Sequence, residues 1–392
     1  MFVLDPGKIQ NAIREEGLDG WLFCNFHHRD SLSDVILGRS PRLTNSRLWV
    51  YGIPREGEPL GIVHAIEEDH LGGLPGKRVS YATRDELLEA LQALAHKRWA
   101  VHVSPFISAI SYLDAGTAAI FETAGLTLVS AATLIQRFRG LLDAGGIASH
   151  ERAAAALYEI VETVWDRVSR AYAAGKPLYE GDLRQTMEDE FERRLLITDH
   201  PPLAAAGLHS ANPHYDFSGS GSPIAEGDII QLDLWAKEKT PGAMYADISW
   251  VGVYGKHSSP EAEKAFADLV LVRDGIHGFI EGELERRGKQ GRELSGAEAD
   301  LAAREMLKEK GYGGAIKHRT GHGIDTECHG SGVNIDGVEF PDPRPILEGS
   351  CFSLEPGIYF TGFGLRTEIN VYIQNRKPVI SGKEPQYSLL HC

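Results

Sequence analysis

Asp233, Asp247, Glu355 and Glu368 stand where an acid would not be chosen for packing. Residues 228–235 read as a strand whose alternation puts Ile230, Leu232 and Leu234 on one face. Asp233 then points the other way, in a segment too apolar to be a solvated edge. Residues 244–254 repeat the pattern, with Asp247 and Ser249 on one face and Ile248 and Trp250 on the other. Glu355 sits at a strand end before Pro356-Gly357, and in the strand-like stretch 366–373 Arg366 and Glu368 share a face. A carboxylate inside an apolar strand is expensive unless it is paired or bound to a metal. Between the two pairs lies Thr320-Gly321-His322-Gly323, whose glycines let the backbone around His322 approach other chain closely. His329 follows seven residues later (329 − 322).

An oxygen-rich donor set with one imidazole and no thiolate suits manganese, cobalt, iron or zinc. The carboxylate count suits a pair of divalent cations roughly 3.5–4 Å apart, able to lower the pKa of a shared water. The plainer reading is that these acids form scattered surface salt bridges.

The elements that must position these groups fall into two blocks. Up to about residue 145 the pattern alternates: helix at 8–16, apolar run at 21–24, strands at 47–53 and 60–65, helix at 85–95, strand at 100–103. That alternation predicts a small α/β domain over 1–145. The boundary is placed at Gly145-Gly146, with Ser149 as N-cap of a long helix whose Leu157, Val161, Val164 and Val168 share one face. A second helix is expected at 182–196, then strands at 228–235, 244–254, 350–354 and 366–373, with helices at 260–287 and 295–310 between them. Segregated strands and helices predict an α+β domain over 146–392, an antiparallel sheet covered by helices.

Composition narrows the function. The 392 residues are 42% hydrophobic and 24% charged, as in ordinary soluble globular proteins. The formal net charge of −15 argues against nucleic acid or an anionic membrane as partner. No apolar stretch is long enough to span a bilayer, and residues 1–20 lack an apolar core of the secretory kind. The four cysteines have no zinc-ribbon spacing and read as reduced thiols of a cytoplasmic protein.

In this order, the segments Ile230-Gln231-Leu232-Asp233, Tyr245-Ala246-Asp247-Ile248, Gly321-His322-Gly323-Ile324, Leu354-Glu355-Pro356-Gly357 and Arg366-Thr367-Glu368 resemble the pita-bread metallopeptidases. That family includes methionine aminopeptidase, aminopeptidase P and Xaa-Pro dipeptidase, with creatinase as a metal-free relative. The first 145 residues are similar to the N-terminal domain shared by prolidase, aminopeptidase P and creatinase, which favours the proline-directed branch. The resemblance implies a pita-bread catalytic domain behind a smaller creatinase-like α/β domain, a homodimer, and small peptides as substrates. It implies two divalent metal ions, manganese first, with Asp233 on one, Asp247 and Glu368 bridging, and His322 and Glu355 completing the other. Glu355 would also move protons, His214 in Asn212-Pro213-His214-Tyr215 would contact substrate, and His329 would stabilise the oxyanion. Arg366 would either hold the ligand set or meet a substrate carboxylate. Arg344 is a further candidate clamp, against the plainer reading of a surface arginine.

Two departures are set in the substrate region: Trp250 stands where many relatives carry arginine, and Gly330 where an acid is common. A third is the spacing of 14 between Asp233 and Asp247 (247 − 233), whose surplus reads as a loop at 237–243. The leading expectation is hydrolysis of a peptide bond preceding proline. Alternatives are a metal-dependent hydrolase of a non-peptide amide or cyclic amidine, and a non-catalytic binding module on the same fold.

Overall fold

The computed structural model describes residues 5–392. The chain divides into two compact units between Arg139 and Gly140, ahead of the Gly145-Gly146 pair. In the first, six strands form one mixed sheet: β1 (Gly20–Asn25), β2 (Trp49–Pro54), β3 (Leu60–His64), β4 (Lys77–Tyr81), β5 (Arg98–Val101) and β6 (Thr127–Ser130), in the order β4-β3-β2-β1-β5-β6. The pairs β1–β2 and β2–β3 are antiparallel and the rest parallel. Helices α1 (Pro6–Glu15), α2 (Ser31–Ile36), α3 (Arg84–Gln92), α4 (Ala115–Thr123) and α5 (Ala132–Arg139) complete the α/β layer. Trp21 and Trp49 anchor one apolar cluster of this unit, and Leu22, Val50 and Trp99 another. Neighbouring residues of β1 thus feed different clusters, as strand alternation requires.

The second unit opens on α6 (Ala144–Ala173) and α7 (Glu180–Arg193). The cap of α6 is Asp143, whose side chain accepts the Gly146 N–H at 2.8 Å, and not Ser149. Asp143 sits in extended backbone with its carboxylate three residues before an orphan N–H, so the two glycines become the first helical turn. Ser149 is buried inside the helix and its hydroxyl accepts the Met244 N–H at 3.1 Å. The second helix ends at Arg193, and Leu196–Ile197 is a strand, β7, where the helix was expected to continue.

The strands β8 (Leu203–Ala206), β9 (Ile229–Glu238) and β10 (Ala246–Val253) form an antiparallel sheet with β7, centred on β9. Leu157, Val161, Val164 and Val168 of α6 pack against Ile230, Leu232, Leu234 and Ile248. Beyond lie α8 (Pro260–Gly288), α9 (Gly296–Glu309), β11 (Cys351–Leu354), β12 (Gly357–Tyr359), β13 (Gly364–Arg366), β14 (Ile369–Gln374) and β15 (Lys377–Ile380). Ile276, Ile280 and Leu284 of α8 cover Phe352, Leu354, Ile369 and Val371 of a three-stranded antiparallel sheet, β11-β14-β15. This is the expected α+β unit. No helix among the described residues is long and apolar enough to cross a membrane.

The strand expected over 366–373 is broken. Arg366 pairs with Gly357 of β12, whereas Ile369 pairs with Leu354 of β11. The chain changes partner at Thr367-Glu368, which places Glu368 at a gap between two ladders. The 237–243 surplus is only partly loop, because β9 runs on through Lys237 and Glu238 against β7.

Gly321 shows how tightly the site segment is threaded. Its N–H and C=O both bond Ile335 (3.1 and 3.0 Å), and an added Cβ would stand 1.9 Å from the Ser353 carbonyl oxygen. A backbone obstacle cannot rotate away. Gly321→Ala should therefore cost about 1–3 kcal/mol through overpacking, read as a lower Tm. An unchanged Tm would mean that this segment is loosely held.

Candidate metal and peptide site

The cross-strand register brings the first acids together. Asp233 on β9 faces Ser249 on β10, and Asp247 lies two residues from Ser249, so all three share a face. The opposite face is the apolar one that meets α6. The backbone of Asp247 is fixed from the side by Asn370 of β14, which accepts its N–H at 2.8 Å and donates to its C=O at 2.6 Å. Ser249 Oγ donates to Glu368 Oε2 at 2.9 Å, tying the gap between β13 and β14 to this face.

His322 and Glu355 arrive through a second frame. Ser353 Oγ accepts the His322 N–H at 3.0 Å and donates to Glu355 Oε1 at 3.1 Å. His322 Nε2 then stands 3.5 Å from both Asp247 Oδ2 and Glu355 Oε1. Burial pushes the His322 imidazole below its ordinary pKa, toward the neutral form that can ligate a metal.

Residues separated by more than a hundred positions thus meet in overlapping sets. The donor atoms of Asp233, Asp247 and Glu368 lie within 4.8 Å of one another, as do those of His322, Glu355 and Glu368. Glu368 belongs to both sets. Asp233 Oδ1, Asp247 Oδ1 and Glu368 Oε1 are buried oxygens without a hydrogen-bond partner. Burial, and then the neighbouring Asp233 and Glu355, push the Asp247 carboxyl well above the usual range. Burial, followed by Asp247, Glu355 and Asp233, does the same to Glu368. Converging unpaired acceptors that repel one another are what a bound cation would relieve. The residues present therefore fit a divalent metal.

Arg366 is 4% exposed and its guanidinium is committed on every side. Nη2 pairs with Asp233 Oδ2 at 2.5 Å, Nε donates to Ser249 Oγ at 3.0 Å, and Nη1 donates to Tyr359 OH at 3.1 Å and the Pro213 carbonyl at 3.4 Å. That geometry holds Asp233 and Ser249 in place. His214 follows Pro213 and is exposed. His329 is exposed too, and its ring centroid lies 4.3 Å from that of His322. Both imidazoles are exposed, His329 beside the ring of His322.

Arg344 is neither a surface residue nor a clamp. It is 2% exposed, pairs with Asp342 at 2.7 Å and donates to the carbonyls of Ser331 and Gly332 at 2.6 and 2.5 Å. Those carbonyls are in a buried turn that water cannot reach, and the arginine satisfies them. Trp250 also leaves the substrate region: it lies on the α6 side of β10, edge-on to Tyr158 at 5.8 Å. Alternation dictates this, because Ser249 takes the acid-bearing face. At Gly330 a Cβ would stand 2.6 Å from the Asp325 carboxyl carbon, so a larger residue has no room. Both departures thus have packing causes.

Other contributors carry no mark in the sequence. Glu180 is fully buried and its carboxylate accepts the N–H groups of Ala206 and Ser222 and the hydroxyl of Tyr215, at 2.8–3.0 Å, fixing the segment that bears His214. An acid in the first turn of a helix usually reads as a partner for the helix dipole. Cys328 donates its S–H to Asp247 Oδ2 at 3.1 Å, so a thiol stands beside the expected donors.

With this geometry in view, comparisons with known proteins are decisive for the family. Residues 148–375 match the model of metallopeptidase family M24. A probable dipeptidase PepE of Mycobacterium tuberculosis is 27% identical over 326 residues, 82% of this chain and 69% of that protein. An Xaa-Pro dipeptidase of Pyrococcus furiosus is 31% identical over 183 residues, 44% of each chain. The crystal structure of dipeptidase PepE from Mycobacterium ulcerans superposes with a TM-score of 0.72 at 22% identity, covering 98% of this chain and 96% of that one, which establishes a shared pita-bread fold. The chain belongs to metallopeptidase family M24 and is a metal-dependent peptidase.

Proposed function

We propose that the chain cleaves the peptide bond preceding proline in small peptides, with two divalent cations held by Asp233, Asp247, His322, Glu355 and Glu368. The observation that carries the metal assignment is the convergence of three unpartnered buried oxygens, Asp233 Oδ1, Asp247 Oδ1 and Glu368 Oε1. The proline specificity is supported by similarity to proteins named as Xaa-Pro dipeptidases. The oxygen-rich donors favour manganese, with cobalt, zinc or iron as alternatives. The reading includes a homodimer acting in the cytoplasm.

Paired cations held by these residues would supply a water of lowered pKa and a polarised scissile carbonyl. The protein's own groups do the rest. Glu355, oriented through Oε1 by Ser353, takes a proton from the attacking water and returns it to the departing prolyl nitrogen. That nitrogen leaves as a secondary amine and needs the proton. His329 and His214, both exposed, hydrogen-bond the substrate and the oxygen that gains charge. Arg366 keeps Asp233 and Ser249 in register and so steadies Glu368.

Two outcomes are expected. Chelated protein should be inactive, and added manganese or cobalt should restore cleavage of an Xaa-Pro dipeptide. A tripeptide Xaa-Pro-Xaa assayed alongside separates dipeptidase from aminopeptidase. Metal binding without cleavage of either peptide would sink the proline reading and leave the ligand assignment intact. Glu355→Gln should lower kcat by about 10²–10⁴-fold with an unchanged far-ultraviolet circular dichroism spectrum. A variant keeping wild-type kcat would remove Glu355 from the proton transfers.

A further inference from the structure

Cys328 is 3% exposed and precedes His329 in the chain. Its apolar neighbours include Leu142, Tyr245, Ile324 and Tyr372, a setting that a valine would suit as well. Yet the sulfur points out of that cluster and donates its S–H to Asp247 Oδ2 at 3.1 Å. The other oxygen of the same carboxylate, Asp247 Oδ1, is buried without a partner. The donor atoms of Asp247, His322 and Cys328 all lie within 4.8 Å of one another. The loop that aims the sulfur is fixed: Asp325 accepts the N–H groups of Glu327 and Ser331 at 2.9 and 2.7 Å, and Gly330 N–H donates to Gly323 at 2.8 Å.

We propose that Cys328, its S–H proton released to solvent as the cation binds, supplies a thiolate donor to the cation position shared by Asp247 and His322, which then takes zinc or cobalt in preference to manganese. Carboxylate, imidazole and sulfur together are a donor set for a borderline-soft divalent cation. The set of Asp233, Asp247 and Glu368 holds only oxygen and keeps its preference for a harder ion. The two positions therefore differ in softness, a property the carboxylates alone would not give them. This inference rests on the ligand assignment proposed above.

The test is a cobalt(II) titration of the stripped full-length protein, followed by electronic absorption. Visible d–d bands report cobalt held by the acids and His322, and a near-ultraviolet sulfur-to-cobalt charge-transfer band reports Cys328. The wild type should show both, and Cys328→Val should keep the visible bands and lose the near-ultraviolet one. Competition with a chromophoric chelator should show zinc affinity falling about 10-fold or more in the variant, with manganese affinity unchanged. Should Cys328→Val not fold, Cys328→Ser carries the same comparison. Visible bands without a charge-transfer band in the wild type would overturn the sulfur donor and spare the ligand assignment. A charge-transfer band that survives the substitution would do the same. The absence of any cobalt bands would overturn both.

Discussion

Carboxylates repel one another, and burial sharpens the repulsion because little water remains to screen it. This chain nevertheless folds with Asp233, Asp247, Glu355 and Glu368 gathered around His322. Folding must overcome that cost before any metal is present, and the surrounding architecture is arranged to do so. The β9–β10 register sets two of the acids on one face. The apolar seam between α6 and the opposite face supplies the burial that drives the pairing. Arg366 offsets part of the charge by pairing with Asp233 while its Nε holds Ser249.

The same constraint explains the breaks in regular structure. A continuous strand over 366–373 would commit Glu368 to one sheet. The change of partner from β12 to β11 frees it to contact Ser249 while Asn370 grips the Asp247 backbone. The Gly321-His322-Gly323 segment has to slide between two pieces of backbone, and only glycine permits that approach. Function here lies in where the frame is interrupted as much as in the frame.

Much of this was legible in the sequence, for identifiable reasons. Strand alternation is a strict rule, so an acid within Ile230-Gln231-Leu232-Asp233 announces its face, and the glycines around His322 announce close approach. The α+β character of the second unit followed from segregated strands and helices. What escaped was anything fixed by tertiary partners. Nothing local distinguishes Cys328 from a small apolar filler, or Glu180 from a helix-dipole partner. Alternation carried Trp250 to the correct face of β10, but the sequence could not say that this face meets α6. Asp143 displaced Ser149 as a cap because two competent caps lay close together, and packing chose between them.

The central claim is that the clustered acids are a cost to the metal-free fold and a gain once a cation binds. Thermal unfolding of wild type and Asp247→Asn, each in chelator and in saturating divalent cation, tests it directly. Without metal, the variant should match or exceed the wild-type Tm, because one repelling carboxylate is gone. With metal, the wild type should rise well above the variant, since only its intact site gains binding free energy on folding. A variant less stable than wild type in chelator, with no metal-dependent rise in either protein, would contradict the account.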